Sequence, residues 1–222
     1  MFPKRLFDGY NTFLDGRFSS ERSRYEALAE SGQRPEIMVI SCVDSRVSPE
    51  VIFDASPGEL LVVRNVANLV PAYDTDRHSQ HGTSAALEFG VQALKVKHIV
   101  VLGHETCGGI RAFADERKPL SASDFIGHWM SQIAPAANNL GPSETFDRTD
   151  YLYQLELASV DLSLNNLMTF PFIAKAVAQG TTALHGAYFS IGSGLLLVRD
   201  PDTGTFAPAT TKMPNISPFQ CS

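Results

Sequence analysis

Cysteine is scarce in this 222-residue chain: only Cys42, Cys107 and Cys221 occur. Three thiols cannot build a disulfide framework, and an odd count leaves one unpaired in any scheme. Basic side chains are outnumbered, 18 Lys and Arg against 24 Asp and Glu, for a net charge of −6. No basic excess is available to meet a phosphate backbone, so no nucleic-acid partner is expected. No run of about 18 apolar residues occurs, which excludes a membrane span. The opening residues, MFPKRLFDGYNTFLDG, are broken by Asp8, Gly9, Asp15 and Gly16 and lack the apolar centre of a secretory leader. A reducing cytoplasm is therefore the expected setting, where thiols serve metals or catalysis more often than bridges. The rest is ordinary for a globular domain: 44% apolar, 19% charged, and long enough to bury a sizeable core. With no repeat or low-complexity linker, one domain is expected over residues 1–222. It comprises a helical arm at 1–32 and an extended tail at 203–222.

Residues 5–31 have helical apolar spacing through Leu6, Phe7, Tyr10, Phe13 and Leu14, then Tyr25, Leu28 and Ala29, with Gly16 as a break and Gly32 as a stop. Such an arm packs on its own domain or on another subunit. Three short, β-branched apolar runs follow: IMVIS (37–41), ELLVVR (59–64) and HIVVLG (98–103). Runs of this kind suit strands buried on both faces of a parallel sheet. A helical segment at 82–96 joins the last two as a βαβ unit. Further helices are expected at 107–117, 124–137, 149–168 and 171–179. Gly192-Ser193-Gly194 marks a hairpin between two final strands. The expected fold is α/β: a central, mainly parallel sheet of four strands plus an edge strand, flanked by helices, with an N-terminal helical arm.

Two clusters follow strands directly. Cys42-Val43-Asp44-Ser45-Arg46 follows IMVIS, and His104-Glu105-Thr106-Cys107-Gly108-Gly109 follows HIVVLG. Both therefore sit at carboxyl ends of parallel strands, where ligand crevices form in open α/β sheets. Taken singly, a strand-end cysteine is a small buried hydrophobe and a lone histidine a core residue. Together, Cys42, His104 and Cys107 make a zinc-type donor set with an open fourth position, as in catalytic sites. His104 and Cys107, three apart at a strand-to-helix turn, can aim at one ion. Gly108 opens the helix with a free N–H. Two thiolates offset the charge of Zn²⁺, so a basic-shifted activity profile is expected. Asp44 and Arg46 can form a bidentate pair. Held so, Asp44 accepts a hydrogen bond at the fourth position; released, it would fill that position.

In these motifs the sequence resembles the β-class carbonic anhydrases. C-x-D-S-R and H-x-x-C-G-G both match, as do SPGELLVVRNVANLVP (56–71) and GTSAALEFGVQALKVKHIVVLGHETCGGI (82–110). The resemblance implies reversible hydration of CO2 to bicarbonate and a proton, by attack of zinc-bound hydroxide on CO2 held in an apolar pocket. It implies Cys42, His104 and Cys107 as ligands of one Zn²⁺ and Asp44 and Arg46 as the catalytic dyad. Gln33, Leu61, Val66, Phe89 and Gly108 would form the substrate site. It implies a homodimer or homotetramer with the pocket shared across an interface. Val39 stands where some bacterial members carry a tryptophan of a bicarbonate site that also uses Arg64. With Gln33, this points to the plant-like, open type. Hydrolysis of carbonyl sulfide or carbon disulfide on the same zinc set, and a zinc-stabilised bicarbonate-binding or scaffold protein without turnover, remain as rivals.

His78 and His81, in a polar loop, have the side chain to pass a proton to buffer, with an ordinary pKa of about 6.5; a solvated loop role is the simpler account. His98, His128 and His185 read as structural, residues 125–136 around Trp129 as a packing face, and Cys221 as a spare thiol.

Overall fold

The computed structural model describes residues 1–76, 82–115 and 123–209. The apolar runs form strands. β1 (Ile37–Cys42), β2 (Leu60–Asn65), β3 (His98–His104) and β4 (Ala183–Phe189) lie parallel in the order β2-β1-β3-β4. β5 (Leu196–Arg199) and β6 (Phe206–Pro208) continue the sheet antiparallel beyond β4. The mainly parallel architecture is as expected, but two antiparallel strands are present instead of one edge strand. The extra strand arises within the expected tail. Asp200 Oδ1 accepts from the amides of Asp202 and Thr203, and Gly204 adopts φ +75°, so the chain turns back onto β5. His78, His81 and Cys221 lie outside the described residues.

Burial follows strand position. β1 and β3 are central and almost wholly buried, whereas β2, at the edge, is only half-buried. Its run ELLVVR looks like that of a central strand, because sequence does not reveal which strand ends a sheet. Side chains alternate between faces. Met38, Ile40, Ile99 and Val101 point into one core, Val39 and Leu102 into a smaller cluster on the other face.

The helices are α1 (Lys4–Phe13), α2 (Ser19–Ser31), α3 (Pro49–Ile52), α4 (Gly82–Glu88), α5 (Gly108–Ala114), α6 (Phe125–Met130), α7 (Ala134–Leu140), α8 (Arg148–Leu167) and α9 (Pro171–Ala178). Gly16 does not break the arm. It lies in a π-helical turn, Leu14–Phe18, that joins α1 to α2. Gly32, at φ +74°, does stop it. Arg17 donates to the Ala55 carbonyl, Arg24 to that of Pro57, and Leu28 packs so close to Gly58 that a Cβ there would fall 2.8 Å away. The second half of the arm thus rests on its own domain. α1 has no buried residue and leaves Leu6, Phe7 and Tyr10 exposed on one face.

α8 crosses the sheet and contributes to two cores: Val160 and Leu167 to that beneath β1 and β3, and Leu155 to that beneath the strand ends. Its close approach depends on Gly103, where a Cβ would lie 2.7 Å from Val160 Cγ2. Gly103→Ala should therefore destabilise the protein by about 1–3 kcal/mol through overpacking. Gly16→Ala, in a helical turn with open space around it, should be neutral or stabilising by up to about 1 kcal/mol. Equilibrium denaturation of the two variants checks both.

Candidate metal centre

The centre forms where β1 and β3 end side by side. Ser41 pairs with Leu102, so Cys42, one residue on, lies beside the end of β3. The chain leaves β3 at His104, turns through Glu105 and Thr106, and enters α5 with Cys107 as its N-terminal cap. One ligand atom each from Cys42, His104 and Cys107 lies within 4.8 Å of the others. All three residues are buried. Gly109 lets the start of α5 pack tightly against Val66 and Met130: a Cβ there would sit 2.9 Å from Val66 Cγ1 and 3.1 Å from Met130 Sδ. Gly108 is different, with nothing within 4 Å of where its Cβ would be. It faces open space.

The polar contacts suit a cation. His104 Nδ1 donates to the Glu105 carbonyl at 2.9 Å, which fixes the tautomer and leaves a lone pair on Nε2. That Nε2 is buried without a partner. The Ala67 amide donates to Cys42 Sγ at 3.3 Å from a left-handed turn, with Ala67 at φ +62° and Asn68 at +49°. The neighbouring Cys107 thiol, and after it His104, lower the pKa of the Cys42 thiol. Cys107 is pushed up by the same Cys42 and by burial. Burial disfavours a charged His104 ring, but the adjacent Cys42 outweighs it and raises the histidine's pKa. An unpartnered imidazole nitrogen and a ready thiolate beside a second thiol form a donor set that fits a borderline-soft cation.

Asp44 is turned onto Arg46. Its Oδ1 accepts from the Arg46 amide (3.0 Å) and Nε (2.9 Å), and its Oδ2 from Nη2 (2.7 Å). Arg46 holds the Asp44 carboxyl well below the usual carboxylate range. Arg46 also reaches the other ligand loop, donating to Thr106 Oγ1 (3.2 Å) and to the Thr106 carbonyl (3.1 Å). Arg64 donates to the carbonyls of Cys42, Asp44 and Val47 and so braces the Cys42 loop.

The residues expected at the site divide into two groups. Asp44, Arg46, Val66 and Gly108 lie with Cys42, His104 and Cys107. Val66 borders a cleft of about 610 Å³ that Val43, Pro71, Thr83 and Trp129 also line. Gln33, Leu61 and Phe89 do not join them within one chain. Gln33 is exposed and precedes β1, at the opposite end from Cys42. Six strand residues span roughly 20 Å. Leu61 pairs with Met38, four residues before the Cys42–Asn65 level, or about 13 Å. Phe89 is half-exposed, and the neighbouring Gly90 packs against Leu61 and Met38.

Sequence patterns do not mark Thr106 or Glu156 as contributors, and they mark Trp129 only as part of a packing face. Trp129 Nε1 donates to the Val66 carbonyl at 2.8 Å and holds that turn. Thr106, a β-branched residue at φ +54°, carries backbone strain between two ligands. Glu156 is buried and accepts from the Cys107 amide at 2.9 Å and from the Tyr188 hydroxyl at 2.7 Å. Its signal in the sequence is a carboxylate on the buried face of α8, in step with Ser159, Ser163 and Leu167.

Comparison with known proteins agrees with this geometry. The carbonic anhydrase family model matches residues 37–196. β-Carbonic anhydrase 3 of Arabidopsis thaliana is 36% identical over 195 residues, 86% of this chain and 74% of that protein. The structure of the β-carbonic anhydrase CcaA superposes with a TM-score of 0.86 at 29% identity, over 95% of this chain and 93% of that one. A tetrameric β-carbonic anhydrase from Sordaria macrospora gives 0.78 at 28%, over 92% and 98%. The chain belongs to the β-carbonic anhydrase family. Its activity class is that of a carbonate dehydratase, a lyase. Among the described residues no helix is long and apolar enough to cross a membrane.

The Asp44–Arg46 geometry makes a pH-dependent expectation. A carboxyl whose folded pKa lies below its unfolded value adds stability above the unfolded value, about 3.9. That stability is lost as pH falls through the folded value. In the metal-free protein the Asp44 carboxyl should remain ionised well below pH 4, and Arg46→Gln should bring its titration back toward about 4. NMR titration of the carboxyl carbon checks this; an unchanged midpoint in Arg46→Gln would show that Arg46 is not the cause.

Proposed function

We propose that this protein carries out the zinc-dependent, reversible hydration of CO2 to bicarbonate and a proton. The observation that carries the reading is the convergence of Cys42, His104 and Cys107 beside an Asp44 already locked onto Arg46. Cys42, His104 and Cys107 would hold one Zn²⁺ per chain, two thiolates and a neutral imidazole leaving a fourth position open. When bound, zinc supplies the Lewis acidity that makes a coordinated water a nucleophile near neutral pH.

The chain's own groups do the rest. Asp44, ionised and with both oxygens on Arg46, can only accept hydrogen bonds. It would accept a hydrogen bond from the nucleophile, which keeps its hydrogen, and so orient a lone pair toward the carbon of CO2. Arg46 keeps the carboxylate at that angle. Val66 would give the substrate an apolar wall, and Gly108, with open space beside it at the start of α5, would offer its amide to the substrate. Two thiolates moderate the cation's charge, so activity should favour the basic side of neutrality.

Gln33, Leu61 and Phe89 would come from a second copy of the chain, since about 13–20 Å of strand separates Gln33 and Leu61 from the Cys42 level in their own. The Gln33 amide would donate to a substrate oxygen, and Leu61 and Phe89 would close the apolar side. An exposed apolar face on α1 and the tetrameric relatives from Sordaria macrospora support a dimer or tetramer. A reducing cytoplasm suits thiols used as ligands.

Stopped-flow CO2 hydration on zinc-loaded protein tests the reading; fully metallated protein without turnover would overturn it. Cys42→Ser and His104→Asn should lose both metal and activity. Asp44→Asn should keep one zinc per chain yet lose roughly 100-fold or more in rate through misorientation. Gln33→Ala should lower kcat/KM with zinc content unchanged.

A further inference from the structure

One buried carboxylate has no part in that scheme. Glu156, on α8, is 4% exposed, and glutamate is almost never buried unless its charge is met. Here both oxygens are committed: Oε1 to the Cys107 N–H at 2.9 Å, Oε2 to the Tyr188 O–H at 2.7 Å. Tyr188 is itself 2% exposed, on β4, with its ring edge against Tyr153.

The Cys107 amide needs such a partner. Cys107 caps α5 with its carbonyl, which accepts from Arg111, but its N–H points out of the helix. Burial denies that N–H water, and an unsatisfied buried amide costs about 1–3 kcal/mol. The residue before it, Thr106, is held at φ +54°, a conformation that persists only where the surroundings over-determine it. Two groups do so. Arg46 grips Thr106 from the Asp44 side through Oγ1 and the carbonyl. Glu156 grips the next amide from the α8 side. The turn that aims His104 and Cys107 is thus clamped between them.

We propose that Glu156 is a positioning residue of the metal centre: with Tyr188 steadying one oxygen, it fixes the Cys107 amide and so the spacing of the Cys107 and His104 ligand atoms. The inference rests on the zinc reading above. It assigns the strength of metal binding to a residue that itself binds no metal. Partners of this kind around known metal sites typically change affinity or activity by about 10–100-fold.

The test measures zinc affinity by chelator competition and the thiolate charge-transfer band of the Co²⁺-substituted protein. The melting temperature of the metal-free protein serves as the structural control. Glu156→Met, similar in shape but without an acceptor, should weaken zinc binding by about 10–100-fold and alter the cobalt band. Glu156→Gln, which keeps an oxygen for the Cys107 N–H, should restore most of the affinity. An unchanged zinc affinity and cobalt band in Glu156→Met would overturn the proposal, even with a lowered melting temperature. Should that variant fail to fold, Tyr188→Phe decides. It should give a smaller but measurable loss of affinity and a shifted band, and no change in either overturns the proposal. The readouts do not involve CO2. Normal zinc binding without hydration would overturn the function and spare this inference. Hydration with an unresponsive Glu156→Met would do the reverse.

Discussion

Everything at the metal centre depends on the parallel pairing of β1 with β3. The register that sets Ser41 against Leu102 brings Cys42 to the start of the His104–Cys107 turn, although some 60 residues separate them in the chain. A slip of one residue would send every side chain to the opposite face. The register is secured from both sides at once. Met38, Ile40, Ile99 and Val101 must enter one core while Val39 and Leu102 enter the other. The approach of the two loops is therefore a by-product of burying apolar strands on two faces, and contacts within the site then hold the turn that carries His104 and Cys107.

Around that junction, polar groups taken out of water are matched in a connected way. Arg46 spans the two ligand loops, Arg64 braces the first, the Glu105 carbonyl orients His104, and Glu156 meets the Cys107 amide. Left-handed backbone at Ala67, Asn68 and Thr106 gathers at the same place. Such conformations cost free energy and survive where packing and hydrogen bonds leave no alternative. Among the buried atoms left without a hydrogen-bond partner is His104 Nε2, which is the atom a cation would use.

The surface repeats the theme of incompleteness. The metal side carries Asp44, Val66 and Gly108, whereas Gln33, Leu61 and Phe89 lie elsewhere on the same chain. On the proposed reading these are two half-sites on one chain, and with the apolar face on α1 they would call for a second copy. The parallel sheet explains the separation. Its carboxyl end collects the ligand loops, and residues before or within β1 and β2 are held a strand's length away.

By itself the sequence determined the parts whose signals are local. Unbroken β-branched runs specified the strands, Gly32 ended the arm, and donor residues at the ends of two strands marked the Cys42–His104–Cys107 cluster and the Asp44–Arg46 pair. These are legible because strand periodicity, turn chemistry and ligand chemistry act over a few residues. The tertiary structure alone decided what depends on distant neighbours. β2 became an edge although its sequence reads as central, since edge position is a matter of what pairs next to it. Residues in the expected tail became β6 because β5 offered an open side. Gly16 stayed helical because the arm continues through a π-helical turn instead of breaking. Glu156 and Trp129, 49 and 63 residues from the backbone groups they hold, acquired their roles only when α8 and α6 packed against the strand ends. No local pattern encodes a partner that far along the chain.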